Sequence, residues 1–189
     1  MIRIPFGVFF LGALLVLILP LDWFGAIVIG AVFHELCHIL MVLALGGSIS
    51  EIRFKTTGCE IKTNTMGEWA QFFSILAGPL GSFSLLLLCR IAPKLAICGL
   101  IQGLSNLIPV LPLDGGRLLF LLLYRFCPEK AEKVMNFVTM GICLLFGLLA
   151  IYLTTAASAG LWPVFLAVFW SVSVLSRKIP CKPSQIRVQ

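Results

Sequence analysis

The chain has 189 residues, 60% of them hydrophobic and only 12% charged, with a mean hydropathy of +1.07. A soluble domain carries about twice that share of charge, and apolar runs long enough to cross hydrocarbon recur along the chain, which leaves no room for a large soluble domain. The net charge of +6 is scattered over residues that flank the apolar runs, with no basic face or groove-reading motif, so nucleic acid is excluded as a partner. Seven cysteines, an odd number with no CxxC pair and mostly in or beside apolar runs, are not a secreted disulfide framework but small packing side chains.

In chain order, six spans are predicted. The first covers residues 4–19 and ends at Pro20 and Asp22. A cleaved signal peptide is the competing reading there, but only Arg3 precedes the run and no A-x-A site follows it. The second span covers 24–45 and stops at Gly46-Gly47; the third covers 72–89. The fourth, 95–126, is broken at Pro109 and Pro112, and the fifth and sixth cover 135–154 and 161–175. With the N-terminus inside, Arg90 and Lys94 fall outside, Arg117 lies within the fourth span, and the other 11 of the 14 basic residues fall inside. The positive-inside rule therefore puts both termini in the cytoplasm.

Between the second and third spans, residues 51–63 change character. Ile52 and Phe54 alternate with charges, Thr57-Gly58 offers a turn, and Cys59 and Ile61 alternate again, the pattern of a β-hairpin. A solvated loop is the plainer alternative. A hairpin would present Ile52, Phe54 and Ile61 on a docking edge for an extended substrate segment. The expected architecture is thus an all-α polytopic membrane protein of about six transmembrane helices with a small cytoplasmic-face β-hairpin. Residues 1–178 form a single domain and 179–189 a short basic tail.

The only two histidines fall in His34-Glu35-Leu36-Cys37-His38, inside the second span. On a helix, positions i and i+4 lie about 40° apart around the axis and about 6 Å along it, so both imidazoles leave one face and can share a tetrahedral metal. Glu35 is set beside the first ligand, where it reaches water on the metal rather than the metal itself. Ionisable groups placed in hydrocarbon are costly, and a pair of histidines serving only inter-helix hydrogen bonds leaves the glutamate between them unexplained. Such a zinc site takes a third protein ligand. Only Asp22 and Asp114 are available, and Asp22 lies in the turn before the second span. Asp114 follows Asn106-Leu-Ile-Pro-Val-Leu-Pro-Leu, and irregular backbone at membrane depth is tolerated only where it is buried in protein or faces a wet cavity. The alternative for Asp114 is a simple ion pair with Arg117, three residues on.

The paired motifs HELCH and NLIPVLPLDGG resemble the site-2 protease family of intramembrane zinc metalloproteases. The short six-span form and the run LPLDGGRLLFLLL look closest to its stage IV sporulation branch, which processes a pro-sigma factor. The resemblance covers about residues 1–178. It implies one zinc ion per chain held by His34, His38 and Asp114, Glu35 as the catalytic residue, and Asn106 and Pro112 beside the substrate. It also implies a bacterial cell membrane and a transmembrane or membrane-associated protein substrate. Two features depart from the pattern. Cys37 stands where the motif usually has glycine, either as a packing residue or as a crowding, competing thiolate. The sequence also shows no PDZ module and no nucleotide-sensing regulatory domain, with 13 residues after Ser176.

The third span carries Ser74, Gly78 and Ser82 at four-residue spacing around Ala77-Gly78-Pro79, which reads as close helix packing rather than chemistry. Two other functions share some of these residues. A membrane metal transporter would use the same ligands without needing Glu35 as a base, although no internal repeat is visible. A pseudoprotease would hold membrane helices without cutting them. A membrane regulatory partner fits the regulated-proteolysis reading, and nothing in the sequence sets the oligomeric state.

Overall fold

The computed structural model describes residues 19–55, 58–63, 66–156 and 160–175. The first expected span and the basic tail therefore lie almost wholly outside the described residues. The chain divides into two compact units, with the boundary between Leu107 and Ile108.

The first unit begins with α1, Leu21–Ala44. Its buried residues are Ala26, Gly30, His34, His38 and Val42, a stripe repeating every four positions. Both histidines lie on this stripe, so the helix face that packs is also the face that carries the chemistry. Gly46 ends the helix in the left-handed region at φ 76°. Its N–H bonds to the Leu43 carbonyl, and the Gly47 N–H bonds to the Val42 carbonyl at 2.9 Å. This paired closure needs a residue without a Cβ at Gly46.

Two strands follow, β1 (Ile49–Lys55) and β2 (Gly58–Thr63), paired antiparallel with Ile52 opposite Ile61, Phe54 opposite Cys59 and Lys55 opposite Gly58. The register slips between Ile49 and Glu51. The connecting Thr56 and Thr57, and the side chains of residues 49–65, lie outside the described residues.

Helix α2, Glu68–Ser84, runs back along α1 and tightens into a 3-10 turn at Leu85–Leu88. Helix α3, Pro93–Asn106, packs on both α1 and α2. Glycines permit these approaches: a Cβ on Gly103 would meet the Phe83 ring at 2.6 Å, and one on Gly99 would meet the Ser82 carbonyl oxygen at 2.7 Å. At the far end of the unit Lys94 pairs with Asp22 and sits 5.7 Å from the Trp23 ring centroid, which joins the start of α3 to the start of α1.

The second unit holds α4 (Asp114–Phe126), α5 (Pro128–Thr155) and α6 (Trp162–Leu175). Helix α5 packs against both α4 and α6, and Phe146 meets Trp170 at 4.9 Å between ring centroids. The expected fourth span is therefore two short helices, α3 and α4, separated by the irregular segment from Leu107 to Leu113 that contains the two prolines.

Among the described residues, three helical stretches, Leu21–Ala44, Glu68–Leu88 and Pro128–Thr155, are long and apolar enough to cross a membrane. They correspond to the expected second, third and fifth spans. Helix α6 is apolar as well, but its 14 residues extend only about 21 Å, less than a hydrocarbon core of about 30 Å. Many large apolar side chains face outward, among them Phe137, Leu144 and Phe169, as lipid contact requires.

Candidate metal centre

The α1 stripe brings His34 and His38 together deep in the first unit, at 2% and 0% exposure. Their Nε2 atoms lie 3.2 Å apart, with the rings edge to face at 85°. Two nitrogens each about 2.0–2.1 Å from a tetrahedral ion are separated by about 3.3 Å. The pair is therefore spaced as two ligands of one metal.

Helix α2 engages the second nitrogen of each ring. Nδ1 of His38 lies 2.8 Å from the Ser74 main-chain carbonyl oxygen. A carbonyl only accepts, so Nδ1 carries the proton and donates, and Nε2 keeps its lone pair. Nδ1 of His34 lies 2.8 Å from the Ser82 hydroxyl oxygen. Metal-binding histidines are oriented by such bonds on their second nitrogen.

Between these two anchors stands Gly78. A Cβ there would run into Nε2 of His38 and would lie 2.9 Å from Cε1 of His34. Any larger residue would fill the space that the two imidazoles now share. Residues 74, 78 and 82 thus do more than pack. Their spacing alone predicts helix contact, and the structure puts an imidazole against each of them. The signal was present: the four-residue interval of the serines matches that of the histidines, and two of the three residues are polar within an apolar span.

Cys37 turns toward α2, where a Cβ on Gly81 would meet its Sγ and Cβ. Its contact is therefore helix packing. Glu35, one position from His34, is half-buried. Asn106 is half-buried and closes α3.

Asp114 belongs to the second unit. It opens α4 at 1% exposure, and an acidic residue in the first turn is favoured by the helix dipole. Arg117 is also buried, with Nη1 4.0 Å from an Asp114 carboxylate oxygen, so the expected neighbour is there at the outer limit of an ion pair. Gly116 lets the start of α4 close on the preceding loop, because a Cβ there would strike the main chain of Val110 and Leu111. Pro112 lies in this loop after a cis Leu111–Pro112 peptide, half-buried. Ile52, Phe54 and Ile61 are in the paired strands, with side chains outside the described residues.

The protein family model described as Peptidase family M50 matches residues 60–146. This stretch contains Asn106, Pro112 and Asp114 and begins after the two histidines. A candidate zinc metalloprotease of Synechocystis sp. is 30% identical over 161 residues, covering 76% of this chain and 41% of the relative. The chain thus spans about two-fifths of that relative's length. Among solved structures, the site-2 protease of Methanocaldococcus jannaschii matches with a TM-score of 0.65 at 21% identity, covering 95% of this chain and 92% of that one. The chain has the site-2 protease fold. The family match takes in less than half of the chain, and the likeness to the solved structure is one of fold.

Proposed function

We propose that this chain is an intramembrane zinc metalloprotease that hydrolyses peptide bonds of membrane-embedded or membrane-associated proteins. The observation that carries the reading is the imidazole pair, with both Nε2 atoms directed at one point and both Nδ1 atoms engaged by α2. In this reading His34 and His38 are joined by Asp114, a buried carboxylate from the family's second motif, as the third ligand of one zinc ion. Zinc held there supplies Lewis-acid polarisation of the scissile carbonyl and brings the pKa of water toward neutrality.

The chain's own groups do the rest. Glu35 accepts a proton from the attacking water and returns it to the leaving amine. Asn106 donates a hydrogen bond to the developing oxyanion or to the substrate main chain, and Pro112 shapes the segment beside it. A substrate helix hides its carbonyls in its own hydrogen bonds and must unwind to present one. The free edge of the β1–β2 pair, with Ile52, Phe54 and Ile61, offers a strand on which the unwound segment aligns. Both termini lie in the cytoplasm, which puts this edge on the cytoplasmic face of a bacterial membrane. Within the family, the LPLDGGRLLFLLL run favours the sporulation branch and a membrane-tethered protein substrate, with a membrane partner that regulates access.

Cleavage of a membrane-tethered reporter, co-expressed with wild-type protein or Glu35→Gln, tests this. The wild type should cut and Glu35→Gln should not, while both hold zinc. A glutamine variant that still cuts would end the protease reading, and metal flux in proteoliposomes that is unaffected by the substitution would point to transport instead.

A further inference from the structure

The two imidazoles are anchored by chemically different groups. His38 donates to a main-chain carbonyl, which any residue at position 74 would supply. His34 faces a side chain, the hydroxyl of Ser82, which only a few residue types could replace. We propose that Ser82 is a positioning residue that sets the tautomer and ring orientation of His34 for metal binding. The proposal rests on the zinc reading above.

Several observations support it. Ser82 is 0% exposed, so its hydroxyl is shielded from bulk water. The hydroxyl has two lone pairs, so it can accept the Nδ1 proton of His34, and in that tautomer Nε2 of His34 is a base facing Nε2 of His38. Without that acceptor, a buried N–H would lose its hydrogen bond, and the ring would gain by rotating or by moving its proton to Nε2, where it blocks the metal. The serine itself is held from behind. Gly99 of α3 lies against its main chain so closely that a Cβ there would approach the Ser82 carbonyl oxygen to 2.7 Å and the Leu85 Cβ to 3.0 Å. A chain of contacts thus runs from Gly99 through Ser82 to His34.

Ser74 provides an internal control. It is equally buried, at 0% exposure, and lies eight positions away on the same face of α2. Its hydroxyl, however, bonds to the Ala70 carbonyl at 2.8 Å, while its own carbonyl serves His38. If these serines were only small packing residues, losing either hydroxyl would have the same effect on the metal. If Ser82 positions His34, only one of the two losses matters.

The test uses the full chain in detergent, titrated with Zn2+ against a competing chelator and with Co2+ for the visible spectrum of its coordination. Ser82→Ala should weaken Zn2+ binding by about 10- to 100-fold and alter the Co2+ spectrum. Ser74→Ala should bind as the wild type does. Ser82→Thr and Ser82→Val, which differ only by a hydroxyl against a methyl, read the same effect where alanine impairs folding: threonine should bind much more tightly than valine. Equal binding by the threonine and valine variants, or equal weakening by Ser82→Ala and Ser74→Ala, would overturn the proposal. A wild-type chain that binds neither ion would overturn the zinc reading itself, an outcome distinct from either of these.

Discussion

Gly78 lies against the imidazole of His38 with no room for a side chain between them, since a Cβ at that position would run into Nε2. The ring cannot retreat easily, because its Nδ1 is bound to the Ser74 carbonyl one turn earlier on the same helix. A helix glycine normally costs stability relative to alanine, so its use at a buried helical site reflects this contact.

Gly78→Ala should therefore reverse the usual preference. Overpacking of this kind costs about 1–3 kcal/mol, and here the ring that must move is a proposed ligand. The variant should keep its helical circular dichroism, melt lower, and lose most of its zinc. Metal analysis and a thermal melt on one preparation check both effects.

Cys37→Ala should be nearly silent. The thiol packs on Gly81, so its removal should cost at most about 1 kcal/mol and leave zinc content and reporter cleavage close to wild type. A large gain in activity would show instead that the thiol competes at the site.

The two motifs were legible in the sequence because few residues could carry them. With only two histidines and two aspartates in the chain, HELCH and the Asp114 segment stood out against the apolar background. Apolar run length placed spans at 24–45, 72–89 and 135–154, where the helices Leu21–Ala44, Glu68–Leu88 and Pro128–Thr155 lie with their polar first turns added, and the prolines marked the break between α3 and α4. The end of α1 was readable from Gly46-Gly47. The roles of Ser74, Gly78 and Ser82 were not. Spacing shows that small residues share a face, but it cannot show which partner occupies the space they leave. Nor can it show that a main-chain carbonyl, which every residue has, is the acceptor for His38.

Gly116→Ala should damage the start of α4. Its Cβ would strike the Val110 and Leu111 main chain, which cannot swing aside as a side chain can, so the loop and helix must separate. The expected loss is about 1–3 kcal/mol of stability, with cleavage falling further than stability because Asp114 sits in the same helical turn. A melt compared with the reporter assay separates the two.

Lys94→Met should have little effect on stability. The Lys94–Asp22 pair joins α3 to α1, but both side chains are about half exposed, and exposed pairs contribute about 0–1 kcal/mol. Its loss should leave the melting temperature and metal content near wild type, and any small change should shrink as salt is added.

Zinc stoichiometry of the purified chain tests the central claim most directly. The wild type should hold one zinc ion per chain, and His34→Ala, His38→Ala and Asp114→Asn should each hold almost none while remaining folded. A folded Asp114→Asn protein with full zinc occupancy would contradict the account, because the aspartate would then have no part in holding the metal.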